Sequence, residues 1–373
     1  MHDFQSNINK NRLLSKRFQY AQGVSSPTRG IKFSALQEIA RKGVEQKVID
    51  DIYTFEENGC FCRHKEVMFI AARDRYNLYY PVVICKRCGL IRNDPRMTRS
   101  SYREFYDIEY RNLYGDGDLE IDVKWNIGVR KGEKIWQFVA DSLPGFQGVV
   151  FDVGCYMGAS LLAFSKRGFV VAGVDYGREH LEYGKKYSGV KNLYVGGIER
   201  LAELNKKADL IILSHVIEHL VDLESELKNI RNIMKPNAYI YIATPGLFWR
   251  TTKVHNRNFL ALLNNAHTYY FSLDTLVYVM ECLGFELVKG NNRIKALFKK
   301  KDSCRSKDNI PHGEYRRTKA FLKRTEAFYS LTCRVIRLLA LFHVKGVVKW
   351  LLSKFVTMRR FYEKRYPIFQ KGN

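Results

Sequence analysis

The chain has 373 residues, of which 46% are hydrophobic, enough for one large domain or two modest ones and too much for a chain without a sizeable core. Its formal charge of +24 is unevenly spread, because residues 289–373 carry 23 Lys+Arg against 5 Asp+Glu, a net of +18 that leaves +6 for the remainder. A basic C-terminal block of this kind favours an anionic partner: nucleic acid, a phosphorylated substrate or an acidic membrane surface.

Residues 1–55 read as a polar, basic, weakly helical arm broken at Gly23, Pro27 and Gly30. The first residues hold no apolar core of a secretory signal, so a cytoplasmic protein is expected. In residues 56–100 two cysteine pairs follow, Cys60-Phe61-Cys62 and Cys85-Lys86-Arg87-Cys88-Gly89, the second led in by the strand-like run 78–84. Close pairs in a chain without a signal suggest metal ligation before disulfides. Four thiols in two such pairs predict a structural, tetrahedral zinc on Cys60, Cys62, Cys85 and Cys88, with no open position for chemistry. The Cys-x-Cys spacing is tight, so His64 is an alternative ligand in place of Cys60 or Cys62, and a pair of buried apolar cysteines beside a β-hairpin is the competing reading. Cys155, Cys282, Cys304 and Cys333 are scattered.

Behind the knuckle come Gly89-Leu90, the turn Asn93-Asp94-Pro95-Arg96 and a tyrosine-rich segment holding Tyr102, Tyr106, Tyr110 and Tyr114. This series resembles the leader of a subgroup of class I S-adenosylmethionine-dependent methyltransferases that recurs in sugar and surface-glycan biosynthesis. An amphipathic helix over 124–143 then leads to a strand, 148–154, that ends in Asp152 and turns on Gly154 and Gly158 into a helical pattern. Such a turn lets backbone N–H groups approach a ligand closely. The next strand, 170–175, ends at Asp175, whose carboxylate is placed to accept hydrogen bonds from ribose hydroxyls. A nucleoside cofactor is therefore expected. Asp152-x-Gly154-x-Tyr156-x-Gly158 is similar to the methyltransferase glycine motif except at Tyr156, whose bulk departs from the usual glycine and would lie against the cofactor.

Further strands are predicted at 192–197, 208–215 and 238–244, closed by a hairpin over 284–288 and 293–298. Alternating units with a terminal hairpin resemble the seven-stranded, Rossmann-like α/β sheet of that family, whose last strand is antiparallel. The resemblance implies S-adenosylmethionine as cofactor and a methyltransferase domain over 101–300. It places Glu199 near the adenine, although an exposed helix-start glutamate is the plain alternative. Ser214 and His215, in the run Ser214-His215-Val216-Ile217-Glu218-His219, lie at a strand end where open α/β sheets receive ligands. His267 is implied on the acceptor side, as a general base for a hydroxyl or as a brace; His219 has the same two readings. No Asn/Asp-Pro-Pro-Tyr/Phe motif, Pro-Cys nucleophile or acidic cluster for magnesium is visible, which disfavours base amino-methylation, C5-cytosine chemistry and a catalytic magnesium.

Residues 301–373 form a basic amphipathic extension. Phe328, Leu331, Val335, Leu338, Leu339 and Phe342 approximate one helical stripe, and the run 346–356 adds Trp350 among spaced lysines. Arg334 and Arg337 inside the apolar stretch argue against a spanning helix; an anionic membrane surface or a packed lid fits better. The resulting expectation is a methyl transfer to a sugar hydroxyl of a nucleotide sugar or lipid-linked glycan. An RNA or tRNA methyltransferase using the basic tail and a non-catalytic binding module are the alternatives, and the oligomeric state is not legible.

Overall fold

The computed structural model describes residues 34–114, 120–255 and 257–341. It begins with helix α1 (Ala35–Ile49), whose start is fixed by a capping box between Ser34 and Gln37. Strands β1 (Phe55–Glu56), β2 (Val67–Arg73), β3 (Tyr79–Cys85), β4 (Ile91–Asn93) and β5 (Arg96–Met97) follow. Helices α2 (Arg99–Ile108), α3 (Tyr110–Tyr114) and α4 (Ile121–Ala140) complete the leader. Thr98 caps α2 by accepting from the Ser101 N–H.

The main sheet has seven strands. Its parallel strands are β6 (Val149–Val153), β7 (Val170–Asp175), β8 (Leu193–Val195), β9 (Ala208–Ser214) and β10 (Met234–Ala243), and the pair β12 (Phe285–Gly290) and β13 (Lys295–Lys300) closes it; β11 (Tyr269–Tyr270), between β10 and β12 in the chain, belongs to another sheet. The order is β12-β13-β10-β9-β6-β7-β8, with β13 antiparallel to β10. This is the α/β architecture expected, down to the reversed last strand. Both faces are covered, so the strands are apolar throughout. Phe151, Ile211, Leu213 and Ile240 pack on one side, while Val150, Leu210, Ile212 and Tyr241 pack on the other, the alternation that a period-two backbone imposes.

Helices α5 (Arg178–Ser188), α6 (Leu223–Asn232) and α8 (Leu273–Cys282) flank this sheet, whereas α7 (Leu247–Lys253) and α9 (Glu314–Leu341) pack against the strands of another. A second sheet, ordered β11-β4-β3-β2, does what strand spacing could not foretell. β11, from between α7 and α8, pairs with β4 through Tyr269 opposite Arg92 and Tyr270 opposite Ile91. The cysteine-bearing leader is thus woven into the second half of the chain. Ile70, Val82 and Ile84 share a core with Leu247, Phe259, Leu263 and Leu322.

The start of α9 is docked. Its buried Glu314 accepts from Ser272 Oγ at 2.5 Å, and Phe321 meets Phe248 edge-on at 4.8 Å. Further along, Phe328 and Leu331 are exposed. The rest of the apolar stripe from Val335 to Phe342 and the run 346–356 lie outside the residues whose side chains are described, as do residues 1–33. Among the described residues no helix is long and apolar enough to cross a membrane.

Candidate functional site

The turn after β6 is left-handed at Gly154 (φ 70°) and Gly158 (φ 70°), and between them Tyr156 takes the same region at φ 57°. Glycine carries this conformation without steric cost, whereas a tyrosine must be held in it. The hold is visible: Tyr156 N–H donates to Asp175 Oδ2 at 2.9 Å. The Tyr156 ring points outward, 39% exposed, and lies 4.3 Å from the His180 ring. Asp175 also accepts from Gly177 N–H through Oδ1 at 2.8 Å, so each carboxylate oxygen has one bond from the fold and lone pairs to spare. Beside it Tyr176 stands 77% exposed, facing the Gly197 turn that Glu199 closes by accepting from Gly197 N–H at 2.7 Å. Asp175, Tyr156 and Glu199 are therefore brought together along the carboxyl ends of the strands, with Gly154 and Gly158 beneath them.

Asp152 has a different place. It is buried and accepts from Ser160 Oγ at 2.5 Å, bracing the turn from below. Burial raises its carboxyl to about 6, against the Ser160 bond and the Lys131 charge. Lys131 comes from α4, which approaches the turn closely because Gly132 has no side chain: a Cβ there would lie 2.3 Å from the Ser160 carbonyl oxygen. Lys131 Nζ reaches the Ser214 carbonyl at 3.5 Å, and burial pushes its pKa down.

At the carboxyl end of β9 stands buried Ser214, and His215 turns into the left-handed region at φ 64°. His215 Nδ1 lies 3.2 Å from Glu218 Oε1. Glu218 is 1% exposed. Burial raises its carboxyl, but the His215 hydrogen bond and the neighbouring imidazoles outweigh that and bring it to about 2. His219 Nδ1 donates to the Ala266 carbonyl at 2.9 Å, with Tyr106 Oη 2.7 Å away. The His219 and His267 rings meet edge-on at 4.8 Å. Burial pushes both imidazoles down, His267 well below its ordinary range. Sequence reasoning placed His219 and His267 separately and passed over Glu218, though it stands beside His219 in the same run.

The leader ties down the loop carrying His267 at several points. Tyr80 Oη donates to the His267 carbonyl, Tyr106 Oη to the Ala266 carbonyl, and Tyr114 Oη to Asn265 Oδ1. Buried Asp74 accepts from Asn265 N–H at 3.2 Å. The tyrosine-rich segment thus acts as a clamp on the His267 loop.

All four predicted cysteine ligands converge. Cys60 Sγ lies 3.5 Å from Cys88 Sγ and from Cys62 Sγ, and Cys62 Sγ lies 3.6 Å from Cys85 Sγ. The four buried thiols lie within 4.8 Å of one another as a set, without His64. Zinc–thiolate bonds of ~2.3 Å in a tetrahedron place sulfurs about 3.8 Å apart, close to this spacing.

Residues 134–289 match the family Methyltransf_23, described as a methyltransferase domain. A ubiquinone biosynthesis O-methyltransferase of Vibrio vulnificus is 30% identical over 110 residues, which is 28% of this chain and 46% of that protein. The enzyme of the same name from Bartonella bacilliformis is 26% identical over 115 residues, 30% of this chain and 46% of that one. This chain therefore spans less than half the length of these curated relatives. Among solved structures, the plantazolicin methyltransferase BpumL in complex with SAH has a TM-score of 0.41 at 11% identity, over 54% of this chain and 98% of that one. Magnesium protoporphyrin IX methyltransferase from Synechocystis PCC 6803 has 0.37 at 17%, over 54% and 100%.

Proposed function

We propose, from the premise that residues 134–289 are a class I S-adenosylmethionine-dependent methyltransferase domain, that this chain methylates a sugar hydroxyl on a nucleotide sugar or lipid-linked glycan. The observation that carries an oxygen acceptor is the His267 loop. It presents an imidazole that burial keeps unprotonated beside the strand ends where the cofactor turn opens. The O-methyl chemistry in the relatives' names agrees with it. The sugar rests on the leader, whose knuckle and tyrosine-rich segment resemble those of glycan-modifying methyltransferases. A phosphorylated acceptor is supported by two half-buried arginines, Arg75 and Arg250. Burial and their charges together push His255 down to about 3.

Bound S-adenosylmethionine supplies an electrophilic methyl carbon on a sulfonium. In this reading the free lone pairs of Asp175 accept the ribose hydroxyls, and Tyr176 offers its exposed face to the adenine with Glu199 at its edge. The backbone of the Gly154–Gly158 turn receives the methionine portion, with Tyr156 alongside. His215 and Ser214 border the reacting centre. His267 takes the acceptor's proton as the in-line displacement proceeds, and His219, bonded to Ala266, braces it. The four thiols would hold a structural zinc, which their spacing fits. The basic residues of α9 and beyond would keep the enzyme peripheral on the inner, anionic face of a membrane.

The test is calorimetric titration of S-adenosylmethionine into the full chain and its Asp175→Ala variant, followed by methyl transfer to nucleotide sugars and to RNA. Binding by the wild type, at least tenfold weaker in the variant, with transfer to a nucleotide sugar is expected. No binding by the wild type overturns the enzyme reading, and transfer to RNA alone overturns the sugar.

A further inference from the structure

Glu218 Oε2 is a buried carboxylate oxygen with no hydrogen-bond partner among the described residues. Such an atom costs free energy unless something absent satisfies it. Its surroundings say what that would be. Glu218, His219 and His267 can each offer one donor atom within 4.8 Å of the others. Two ligands ~2.1 Å from one ion are at most about 4.2 Å apart, so a side-chain adjustment of about half an ångström would close the three around a cation.

The hydrogen bonds prepare these side chains for that task. His219 Nδ1 lies 2.9 Å from the Ala266 carbonyl and 2.7 Å from Tyr106 Oη, and the tautomer that donates Nδ1–H to the carbonyl leaves the Nε2 lone pair free. This is the usual way that a ligating imidazole is oriented. The His267 imidazole makes no hydrogen bond among the described residues and meets His219 ring edge to ring face. His215 contacts the other Glu218 oxygen, which makes it an outer-sphere partner and leaves Oε2 for the ion. Tyr80 and Tyr106 anchor the loop backbone at His267 and Ala266, so the ligand from the distant segment is held at the distance the near pair requires.

We infer that Glu218, His219 and His267 form a binding site for a divalent transition-metal ion, separate from the four-thiol cluster. Two imidazoles and one carboxylate suit ions of the manganese-to-zinc series and leave coordination positions open. No acidic cluster announces the site, because its ligands come from two segments and only one is acidic.

The inference rests on the methyltransferase reading and deepens it. The acceptor hydroxyl oxygen would occupy an open position, where the ion lowers its pKa. Its proton leaves to water past the exposed His215. The oxygen's electron pair then forms the new C–O bond as the methyl C–S bond breaks, and the sulfonium becomes a neutral thioether. His267 is then a ligand and no longer the group that takes the proton.

The experiment titrates Mn2+ into the full zinc-loaded chain, reading free ion by electron paramagnetic resonance, and Co2+ in parallel, reading d–d absorption. Neither readout depends on turnover, and thiolate-bound cobalt would show itself by intense charge-transfer bands. Saturable binding of one equivalent is expected, at least tenfold weaker in Glu218→Gln and in His267→Gln. S-adenosylmethionine affinity and zinc content, measured on the same samples, establish that the variants are folded. Absence of saturable binding of both ions to the wild type overturns the site, as does binding unchanged in both variants. Cofactor binding without metal binding would sink this inference alone, and loss of cofactor binding would sink the methyltransferase reading.

Discussion

Tyr80 donates its hydroxyl to the backbone carbonyl of His267, 187 residues further along the chain. The donor stands on the strand that ends at Cys85, and the acceptor opens the segment that becomes β11. This bond therefore links the strand leading into the cysteine knuckle to the His267 loop, and the β4–β11 pairing reinforces it.

Removing that hydroxyl tests the clamp. Tyr80→Phe should cost about 1 kcal/mol of stability. It should lower kcat for the acceptor roughly tenfold, about 1.4 kcal/mol at the barrier, and leave S-adenosylmethionine affinity unchanged. Single-turnover kinetics beside calorimetry separates the two. An equal loss of cofactor affinity would mean that Tyr80 supports the whole domain and not the loop.

The zinc proposed for the four thiols should act through the same connection. Stripping the metal with a chelator, or replacing Cys85 and Cys88 by serine, should lower the thermal midpoint. It should also speed hydrogen exchange at the amides of Asn93 and Thr268, which bond to the Thr268 and Glu218 carbonyls respectively. Metal analysis should find one equivalent of thiolate-bound zinc in the wild type and none in the double variant. Exchange that rises only around the cysteines would confine the metal's role to its own knuckle.

Tyr176 offers a check on cofactor placement. An exposed aromatic ring beside Asp175, the carboxylate proposed to hold the ribose, contributes about 0.5–1.5 kcal/mol when a flat ring stacks on it. Tyr176→Ala should accordingly weaken S-adenosylhomocysteine binding by roughly three- to tenfold with little change in the thermal midpoint of the unliganded chain. Unchanged affinity would move the adenine elsewhere.

Asp152 predicts a pH dependence. Its carboxyl is raised from 3.8 to about 6 by burial, so between those values the folded chain holds a proton that the unfolded chain has released. The unfolded state then binds fewer protons, and stability falls as pH rises through that window, by an amount on the order of 3 kcal/mol, before levelling above it. Urea midpoints of wild type and Asp152→Asn at pH 4 and pH 7 measure this. The wild type should lose more stability than the variant on going to pH 7, and parallel losses would mean that Asp152 is ionised throughout.

Close approach at Gly132 supplies a packing test. A Cβ 2.3 Å from the Ser160 carbonyl oxygen must push α4 off the turn, so Gly132→Ala should cost about 1–3 kcal/mol despite alanine's better helix propensity. It should also weaken cofactor binding, because the turn and Lys131 shift together. A stabilised variant would show that α4 slides freely.

The sequence by itself determined the sheet and its cofactor edge. Strands buried on both faces read as unbroken apolar runs, and the turn at Gly154 and Gly158 and the acid at Asp175 are local features written within a few residues. The cysteine pairs were legible for the same reason, since each pair is a short-range pattern, and the four thiols meet as that pattern implied. Tertiary structure alone decided the acceptor side. Glu218 and His219 join His267 only because β11 crosses to the leader's sheet and Tyr80, Tyr106 and Tyr114 hold its loop there. Two-residue strands such as β11 carry too little periodicity to be recognised. Bonds between residues so far apart in the chain leave no spacing to read. The same physics gave Asp152 its bracing role, because α4 buries it from one side while the sheet buries it from the other, and burial is a property of the fold and not of a motif.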